Sequence, residues 1–446
     1  MNEGLQTALN QIREEIVSDS KVYQEQIPVV NELTSSQAYG QALLSLPSDM
    51  RNKFISSLVN RISYTAFEIK YFNNPLQDLQ RNELPLGAIG QNIYINPARG
   101  RVYNIDDFAG LLCKYESDIK SEYTPINHDV QYPVTIIRKE LEKAFTSWGD
   151  LERFLAGITT SLYNGAYIDD YYFTKKLITN AYTQNAVQME TYSFAGSTPT
   201  SDELKGLVKK LRKDYNNFQI PSTKYNAWAK VGGYGKAIIS WSNPEDIVVF
   251  INNELASELD VDVLSVAFNM NKSDLIGRVY YVEDFDLVDD EGTTQVDGSN
   301  IVAFIADRRW FKIEQKDMFL DEFYNPNNRS WQTYLSVIKA FNFSFFANAK
   351  MYVKAAPTVN ITSMAFAETS VTVTAGKTAT VLINTVPFPA NQTITVASSA
   401  SGKATASISG KTVTVTGVAE GSATITATAG NVTATLSVTV EAAPEE

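Results

Sequence analysis

The chain has 446 residues, of which 44% are hydrophobic and 20% are charged, and its formal net charge is -12 at pH 7. This length predicts about three domains of about 150 residues each, and the hydrophobic fraction is ordinary for folded protein. The acidic balance opposes tight binding to phosphate polymers, because such binding needs a basic surface that releases counterions. The composition therefore disfavours a nucleic-acid-binding protein of the usual kind.

Cys113 and His128 are the only cysteine and the only histidine. Zinc sites need three or four ligands, and a disulfide within one chain needs two cysteines. Serine hydrolases of the common type need a histidine base, but no nucleophile motif accompanies His128. Cys113 follows Gly110-Leu111-Leu112, which indicates an inert, buried thiol on a short apolar helical patch. We predict no catalytic, cofactor-binding or metal-binding residues, no cofactor, and a protein that is not an enzyme.

We expect neither a signal peptide nor a membrane span in this chain. The N-terminus, from Met1 to Leu5, has neither the basic nor the apolar region of a signal peptide. No stretch approaches the roughly 18 apolar residues that a membrane span requires. We expect no membrane partner, and the lack of disulfides favours synthesis in a reducing cytoplasm.

The first fifty residues predict an arm. Residues 3–18 have the pattern of a polar amphipathic helix, and a second helix begins at Pro47-Ser48-Asp49, where Ser48 is suited to cap free N–H groups. The apolar residues that follow share one helical face: Phe54, Ile55, Leu58 and Ile62. The arm is too poor in apolar residues to form a core of its own, so it must lean on something else.

Residues 80–140 form a long excursion with strand-like runs at 92–95 and 132–136 but no apolar centre. Such a segment is usually disordered or a functional projection, and its strand propensity and tyrosines favour projection. A long helical segment is predicted to begin at the cap residues Ser147-Trp148-Gly149-Asp150, with a second helical piece at about 171–181. Its apolar residues recur at helical spacing: Leu151, Phe154, Leu155, Ile158, Leu162 and Tyr163.

An α/β pattern follows the long helix. A capped helix begins at Pro199-Thr200-Ser201-Asp202-Glu203. Strands are predicted at 246–251, 278–282 and 301–305, with a helix at about 254–268. Residues 334–353, which contain four phenylalanines, indicate a long buried strand or a pair of strands.

The amino-acid usage changes near Pro357. From Thr358 to Val440 the chain is almost wholly Thr, Val, Ala, Ser and Gly, with Phe366 and Phe388 as its only aromatic residues. Apolar and hydroxyl residues alternate, as in residues 371–374 and 412–416, which is typical of strands with one buried face. The sequence therefore predicts a small β-sandwich at the C-terminal end.

Three motifs have both a chemical and a structural interpretation. The glycine-rich run 231–236 lacks the spacing of a phosphate-binding loop, so a turn is the default. The acidic run 284–292 does not match the twelve-residue calcium loop, and an acidic, solvated hairpin tip is favoured. Asp260 and Asp262 share one face, which alternation predicts to be exposed. None of the three is assigned a chemical role.

The segment Glu258–Asn271, with the sequence ELDVDVLSVAFNMN, closely resembles the major capsid protein of phi-29-like podoviruses. Other segments agree with that family in the same order: Asn73-Asn74-Pro75-Leu76, Leu84-Pro85-Leu86-Gly87, Ala144-Phe145, Ser147-Trp148-Gly149 and Phe346-Ala347-Asn348-Ala349. The resemblance is collinear across about residues 50–355.

This resemblance implies an α+β Hong Kong 97-like capsid fold followed by an all-β immunoglobulin-like sandwich. The implied parts are an N-terminal arm (1–50) and a capsid body (51–356) with an E-loop (about 80–140), a spine helix (about 147–185), an A-domain (within about 220–305) and a P-domain from the flanking segments, including 305–354.

The C-terminal region has a resemblance of its own. Residues 415–428, VTGVAEGSATITAT, are similar to the closing strands of a bacterial group 2 immunoglobulin-like (BIG2) domain. The resemblance implies turns at Gly417 and Gly421 and an inward-pointing Ile425. This domain is expected at 357–441, with a short tail at 442–446.

The two resemblances together imply a major capsid protein of a tailed bacteriophage. It would self-assemble into the hexamers and pentamers of an icosahedral or prolate head that encloses double-stranded DNA, with the Ig-like domain displayed outward. The implied location is the virion shell, after assembly in the host cytoplasm. The implied partners are a scaffolding protein, a portal or connector, loosely contacted DNA and, as a candidate for the Ig-like domain, host-surface carbohydrate.

Segments without a core of their own are expected to bury apolar side chains on sister copies, in a non-covalent shell. The alternative is a bacterial surface adhesin or carbohydrate-binding protein that carries a BIG2 domain. The missing signal peptide and wall anchor count against that alternative.

Overall fold

The computed structural model describes residues 3–19, 27–31, 34–65, 72–80, 90–100, 113–114, 116–196, 199–232, 236–253, 279–288 and 294–443. The chain forms two compact units. The first contains Met1–Gln91, Tyr123–Thr174 and Lys312–Asn342, and the second contains Asn92–Glu122, Lys175–Phe311 and Phe343–Glu446.

The secondary structure mixes helices and strands. The helices of the described ranges are α1 (Glu3–Asp19), α2 (Ser36–Ser45), α3 (Ser48–Thr65), α4 (Arg138–Ala144), α5 (Trp148–Thr183) and α6 (Ser201–Phe218). The strands before the C-terminal domain are β1 (Gly90–Ile95), β2 (Ile119–Thr124), β3 (His128–Ile137), β4 (Gln188–Thr191), β5 (Ile247–Asn252), β6 (Val279–Val282), β7 (Leu287–Val288), β8 (Thr294–Val296), β9 (Ile301–Asp307), β10 (Phe311–Asn325), β11 (Ser330–Phe343) and β12 (Ala349–Val353). The C-terminal strands are β13 (Ser363–Phe366), β14 (Ser370–Thr374), β15 (Thr378–Val386), β16 (Thr395–Ser398), β17 (Ala404–Ser409), β18 (Thr412–Gly417), β19 (Gly421–Ala429) and β20 (Val432–Glu441).

The N-terminal helices contribute to the core of the first unit. Leu9 and Ile12 of α1 are fully buried, in the same apolar cluster as Tyr39, Phe54 and Trp331. The predicted helices at 3–18 and from Ser48 are confirmed. The expectation that the arm covers its apolar side chains on sister copies is wrong for these residues, because the chain's own helices and sheet already cover them.

A three-stranded sheet, in the order β10-β11-β3, forms the other side of this core. Strand β11 pairs antiparallel with β3, and Trp331 lies opposite Ile136. The predicted strand at 132–136 is confirmed, but the sequence did not predict β10. The predicted buried segment 334–353 is split between β11 and β12, which belong to different sheets. The break lies at Ser344, whose hydroxyl accepts from the backbone N–H of Phe346 and so competes with strand pairing.

The predicted long helix is α5, one continuous helix of 36 residues. Ser147 caps it, since its hydroxyl accepts from the N–H of Asp150 at 3.1 Å. At its other end Asn185 adopts a φ of +51°, and the N–H of Ala186 donates to the carbonyl of Ala181. This left-handed residue closes the helix in the way that glycine often does.

The second unit contains a five-stranded sheet in the order β4-β12-β9-β5-β6. Helix α6 covers one face of this sheet, with Leu207, Leu211 and Phe218 fully buried against it. On β5 and β9, Phe250 and Phe304 belong instead to an aromatic cluster with Trp310 and Phe311. Because both faces are covered, the central strands have continuous apolar sequences. The strands predicted at 246–251, 278–282 and 301–305 are confirmed.

Helix α6 begins with a capping box. The Thr200 hydroxyl accepts from the N–H of Glu203, and the Glu203 carboxylate accepts from the N–H of Thr200. The prediction of a capped helix start is confirmed. The two reciprocal bonds satisfy backbone donors that have no partner within the helix.

The C-terminal domain is a sandwich of two four-stranded sheets, β13-β15-β18-β17 and β14-β20-β19-β16. Apolar residues of both sheets, among them Val413 and Leu436, are fully buried between them, while the alternate hydroxyl residues face outward. Ile425 points into this core as predicted. Gly421 has a φ of +141°, which favours glycine. Gly417 ends β18, where a Cβ would lie 2.9 Å from the Thr374 carbonyl oxygen.

Cys113 is exposed, so the prediction of a buried thiol is wrong. The residue lies outside any helix, and the chain that follows it is polar. Lys114 and Glu116 form an ion pair at 2.6 Å, with both side chains mostly exposed.

Several predictions concern residues outside the described part of the chain. They are the helix at about 254–268, the segment 258–271 with Asp260 and Asp262, the acidic tip at 289–293, the glycine-rich residues 233–235, most of the middle of the excursion at 81–89 and 101–112, the side chain of Ile62 and the tail residues 444–446.

His128 is buried at the junction of β3, β11 and α5 in the first unit. Its ring lies edge-on to Phe173 and Phe341, and its Nε2 atom has no hydrogen-bond partner among the described residues. Burial lowers the pKa of His128, although Asp169, Asp170 and Asp129 favour the charged form; Lys339 also lowers it. Lys339 itself forms a buried ion pair with Asp170 at 2.5 Å.

The capping box gives a first prediction. Thr200→Ala removes the hydroxyl acceptor and should lower the free energy of unfolding by about 1 kcal/mol. Thr200→Ser, which keeps the hydroxyl, should change it little. Urea denaturation followed by circular dichroism measures both variants, and equal losses would contradict a role for the cap.

The buried histidine gives a second prediction. The folded state holds His128 neutral, so below about pH 6.5 the unfolded chain binds the proton more readily and stability falls. His128→Phe should therefore reduce the fall in Tm of the wild-type chain between pH 7.5 and 5.5. Aspartates and glutamates titrate mainly below this window. Thermal unfolding across this pH range measures the effect. An identical dependence of Tm on pH in both proteins would contradict the prediction.

Candidate subunit-contact surfaces

The strands β1 and β2 form a two-stranded ribbon whose inner face is pinned to the second unit. The Tyr94 ring packs on Phe346 at 5.7 Å, and its hydroxyl donates to the carbonyl of Ile239. The amide oxygen of Asn96 accepts from the N–H of Ile239 at 3.0 Å. Burial raises the pKa of Tyr94, while Arg309 opposes the shift. These contacts hold the end of β1 in place.

Strand β2 is held by a buried carboxylate. Glu122 accepts from the Ser344 hydroxyl at 2.6 Å and from the N–H of Phe345 at 2.9 Å. Hydrogen bonds from Lys120 and then from Asn96 hold the pKa of Asp118 below its usual range. The described part of the predicted excursion is therefore anchored to its own chain on one side.

The outer face of the same ribbon is apolar and exposed. Ile93, Ile95 and Ile119 are 59%, 58% and 51% exposed. The N–H of Asn96 donates to the carbonyl of Asp118, so that Ile95 lies opposite Ile119 in an antiparallel pair. We call these three isoleucines the ribbon face. Exposed apolar groups that cluster in this way mark interaction surfaces more often than isolated ones do.

A second exposed apolar surface lies on the edge strand β10. Phe319 and Phe323 are 41% and 50% exposed, and Phe323 stacks on Tyr334 with ring centroids 6.0 Å apart. The alternate residues of β10 in this region, such as Leu320 and Tyr324, pack against the core of the first unit. The strand therefore has one side in the core and one aromatic side in solvent.

A third surface joins the end of α6 to the segment that holds the ribbon. Ile220 and Trp241 are 60% and 45% exposed. They lie on two segments linked by a Ser222–Ser240 bridge. The Arg309 guanidinium donates to the carbonyl of Trp241 at 3.1 Å and pairs with Asp307 at 2.8 Å. A tryptophan in a fixed backbone, beside an arginine, has the composition of an interface anchor.

Two described aspartates of the acidic run have structural partners. Asp284 accepts from Lys175 at 2.9 Å, and Asp286 accepts from the N–H of Gly298 at 2.6 Å. Gly232 has a φ of +85°, as expected of a turn. Within the described ranges, no group of three or more His, Cys, Asp and Glu side chains is arranged to hold a metal ion. None of the helices described has the length and apolarity to cross a membrane.

A largely buried ionic network joins α6 to the five-stranded sheet of the second unit. The Lys350 ammonium lies 2.7 Å from Asp214 and 2.6 Å from Glu190, and the Tyr352 hydroxyl donates to Asp214. Burial raises the pKa of Glu190, but hydrogen bonds from Lys210 and Lys350 outweigh it and hold the pKa low. Burial lowers the pKa of Lys350, and its bonds to the two carboxylates raise it overall. The network fixes the packing of α6 on its sheet.

The sequence did not single out the exposed apolar residues. Alternation predicts that Tyr94 and the flanking isoleucines face opposite ways, but the buried face carries Asn92 and Glu122, so the pattern does not identify the exposed face. A solvent-facing side of a strand usually carries polar residues, but Ile93 and Ile95 occupy these positions in β1. Their apolar character was the sequence signal that could have indicated a contact surface.

Comparison with known proteins gives two family matches and similar relatives. A model of the phi29-like phage major capsid protein matches residues 9–353, and one of the bacterial Ig-like domain (group 2) matches residues 360–440. The major capsid protein of Bacillus phage PZA is 28% identical over 305 residues, which cover 68% of this chain and 64% of that protein. The major capsid protein of Bacillus phage B103 is 26% identical over 348 residues, which cover 77% of this chain and 72% of that protein.

A solved structure shares the fold. A chain in the capsid structure of Staphylococcus phage Andhra superposes with a TM-score of 0.52 at 15% identity, covering 65% of this chain and 86% of that chain. The α+β body is thus a Hong Kong 97-like capsid fold, followed by an all-β sandwich, as the sequence resemblance implies. Because the first family model matches well over half of the residues, this chain belongs to the phi29-like phage major capsid protein family and carries a group 2 bacterial Ig-like domain.

Proposed function

We propose that copies of this chain assemble, without covalent links, into the shell of a tailed-phage head. The observation that carries the proposal is the ribbon face. The ribbon is anchored by buried polar and aromatic contacts on its inner side, yet it presents three isoleucines to solvent on its outer side. Family membership supplies the expected occupant of that face, which is another copy of the same chain.

The energetics favour many small contacts over one strong contact. Complete burial of an isoleucine contributes about 1.5–3 kcal/mol, and each residue of the ribbon face is more than half exposed. Burial of the ribbon face would therefore contribute a few kcal/mol to the free energy of association, and the loss of translational freedom would offset part of this contribution. The aromatic side of β10 and the Ile220–Trp241 surface add further contacts of this size. A shell that closes through repeated contacts needs no single tight interface.

We assign the ribbon and β3 to the E-loop at about 80–140, and α5 to the spine helix at about 147–185. The A-domain is assigned within about 220–305, and the P-domain to flanking segments that include 305–354. The arm is placed at 1–50, the body at 51–356, the Ig-like domain at 357–441 and the tail at 442–446. The unbroken α5 and the separate sheet cores support these boundaries.

The finer assembly also belongs to the proposal. Copies form the hexamers and pentamers of an icosahedral or prolate head, in the host cytoplasm, with a scaffolding protein and a portal as partners. The acidic net charge of -12 supports loose, non-specific contact with packaged DNA. We propose that the protein has no enzymatic activity. The Ig-like domain is displayed outward, where host-surface carbohydrate is its candidate ligand.

The ribbon face gives a third prediction. Ile95→Asp places a charge where a sister copy would bury an apolar side chain, and the penalty recurs at every contact in the shell. We expect at least about tenfold fewer closed particles, since about 1.4 kcal/mol per contact already corresponds to a factor of ten. Negative-stain electron microscopy of the chain expressed with its scaffolding protein counts the particles.

The matched control is Val418→Asp in the Ig-like domain, where the native valine is 49% exposed. It should leave particle numbers near the wild-type value. Normal shells from Ile95→Asp would overturn the role of the ribbon face. Wild-type chains that stay monomeric and bind cell walls would favour the adhesin alternative.

A further inference from the structure

The segment that connects the body to the Ig-like domain is bonded to the body along its backbone. We call residues 354–362 the linker. The N–H of Lys354 donates to the carbonyl of Asn300 at 2.7 Å. The Tyr182 hydroxyl, near the end of α5, donates to the carbonyl of Ala355 at 2.9 Å. A tether between independent domains would leave these backbone groups to water.

The next part of the linker is bonded to one loop of the Ig-like domain. We call residues 387–392, between β15 and β16, the latch loop. The Asn391 side chain accepts from the N–H of Val359 and donates to the carbonyl of Pro357, both at 2.8 Å. The Gln392 side chain accepts from the N–H of Ile361 at 2.9 Å. The loop therefore clasps the linker with two amide side chains.

The latch loop also contacts the body directly. The Asn185 amide donates to the carbonyl of Pro389 at 2.9 Å. The Phe388 ring lies so close to Gly232 that a Cβ on that glycine would be 2.6 Å from the ring's Cγ. Lys411 also contacts Phe388. Its ammonium lies 4.2 Å from the Phe388 ring centroid and 2.6 Å from the Thr385 hydroxyl.

We propose that the latch loop docks the Ig-like domain on the body in one orientation. Asn185, which ends the spine-like helix α5, and Gly232 form the receiving surface, and the linker lies in the same set of contacts. The occupant of this surface is thus a segment of the same chain. The domain is held as a fixed projection of the subunit, which goes beyond its proposed role in a shell.

The docked orientation decides which end of the sandwich is presented. The loops at 375–377, 399–403 and 418–420 cluster at the pole opposite the latch loop, since Gly376 bonds to Gly417 and Val418 bonds to Lys403. This pole is the end of the sandwich that the latch loop does not occupy. A fixed domain also loses less rotational freedom on binding than a tethered one.

Trypsin cleavage at Lys354 tests the docking. The Lys354 side chain is exposed, but its backbone and that of Ala355 are bonded to the body. Cleavage needs the segment to detach, so its rate follows the population of the undocked state. Mass spectrometry of the full-length, unassembled chain reads the release of fragment 355–446 over time.

Three variants weaken the latch without touching either core. Asn185→Gly keeps the left-handed conformation and removes the amide donor, Asn391→Ala removes the clasp on the linker, and Phe388→Ala removes the ring on Gly232. Each should raise the rate of fragment release about five- to tenfold, the effect of losing one modest contact. Val418→Ala, at the opposite pole, is the matched control and should leave the rate unchanged. Circular dichroism checks that each variant folds.

Slow release from the wild-type chain, with acceleration by the latch variants alone, supports docking. Wild-type release as fast as cleavage of a free peptide of linker sequence would overturn it, as would a rate that the three variants leave unchanged. Because cleavage is measured on unassembled chains, failure to form shells in the electron-microscopy test leaves this result readable.

Discussion

The ribbon of β1 and β2 has only two strands, so both of its faces are exposed unless another part of the protein covers them. Such a ribbon is marginally stable alone, so at least one face must be covered. In this chain, Tyr94 and Glu122 attach the inner face to an aromatic cluster and to the break after β11. That attachment leaves the outer isoleucines as a rigid apolar strip rather than a flexible one. The proposed assembly depends on this division between a covered face and an open face.

The sequence predicted the elements that local chemistry determines. Ser147 and the Thr200–Glu203 pair begin helices because their side chains satisfy backbone donors a few residues away, and such caps are visible in the sequence itself. Alternating Thr and Val in the C-terminal domain predicted its strands, because a period of two places one set of side chains on a buried face. The inward position of Ile425 was implied by the resemblance to BIG2 domains. These features need no knowledge of distant contacts.

The predictions failed where distant contacts decide. Strand β10 mixes charged and aromatic residues, and its strand form depends on β11 beside it, so no local period revealed it. The arm looked too poor in apolar residues, yet Leu9 and Ile12 complete a core supplied mostly by later segments. The prediction for Cys113 was wrong in the opposite direction. The two leucines before it suggested a buried thiol, but the residue is exposed and the chain after it is polar.

The candidate surfaces were missed for a related reason. A sequence pattern shows that Ile93 and Ile95 share a face, but the identity of the exposed face depends on what covers the other one. Here Asn96, Glu122 and Tyr94 supply that information only through their partners at Ile239, Ser344 and Phe346. The sequence pattern and the family resemblance predict a projecting loop, while the contacts that anchor its described residues come from the structure.

In the proposed shell, rigid presentation would allow several weak surfaces to be sufficient for assembly. An apolar side chain contributes little when its segment must first be ordered, because the entropy of ordering offsets the gain from burial. Buried ion pairs such as Lys339–Asp170 and Lys350–Asp214 are poor sources of net stability. They nevertheless restrict how the helices and strands that carry them pack, since any other arrangement would leave a buried charge without its partner. In the proposed shell, a segment that is already ordered, such as the anchored ribbon that carries Ile95, would leave most of the free energy of burial available to the contact between copies.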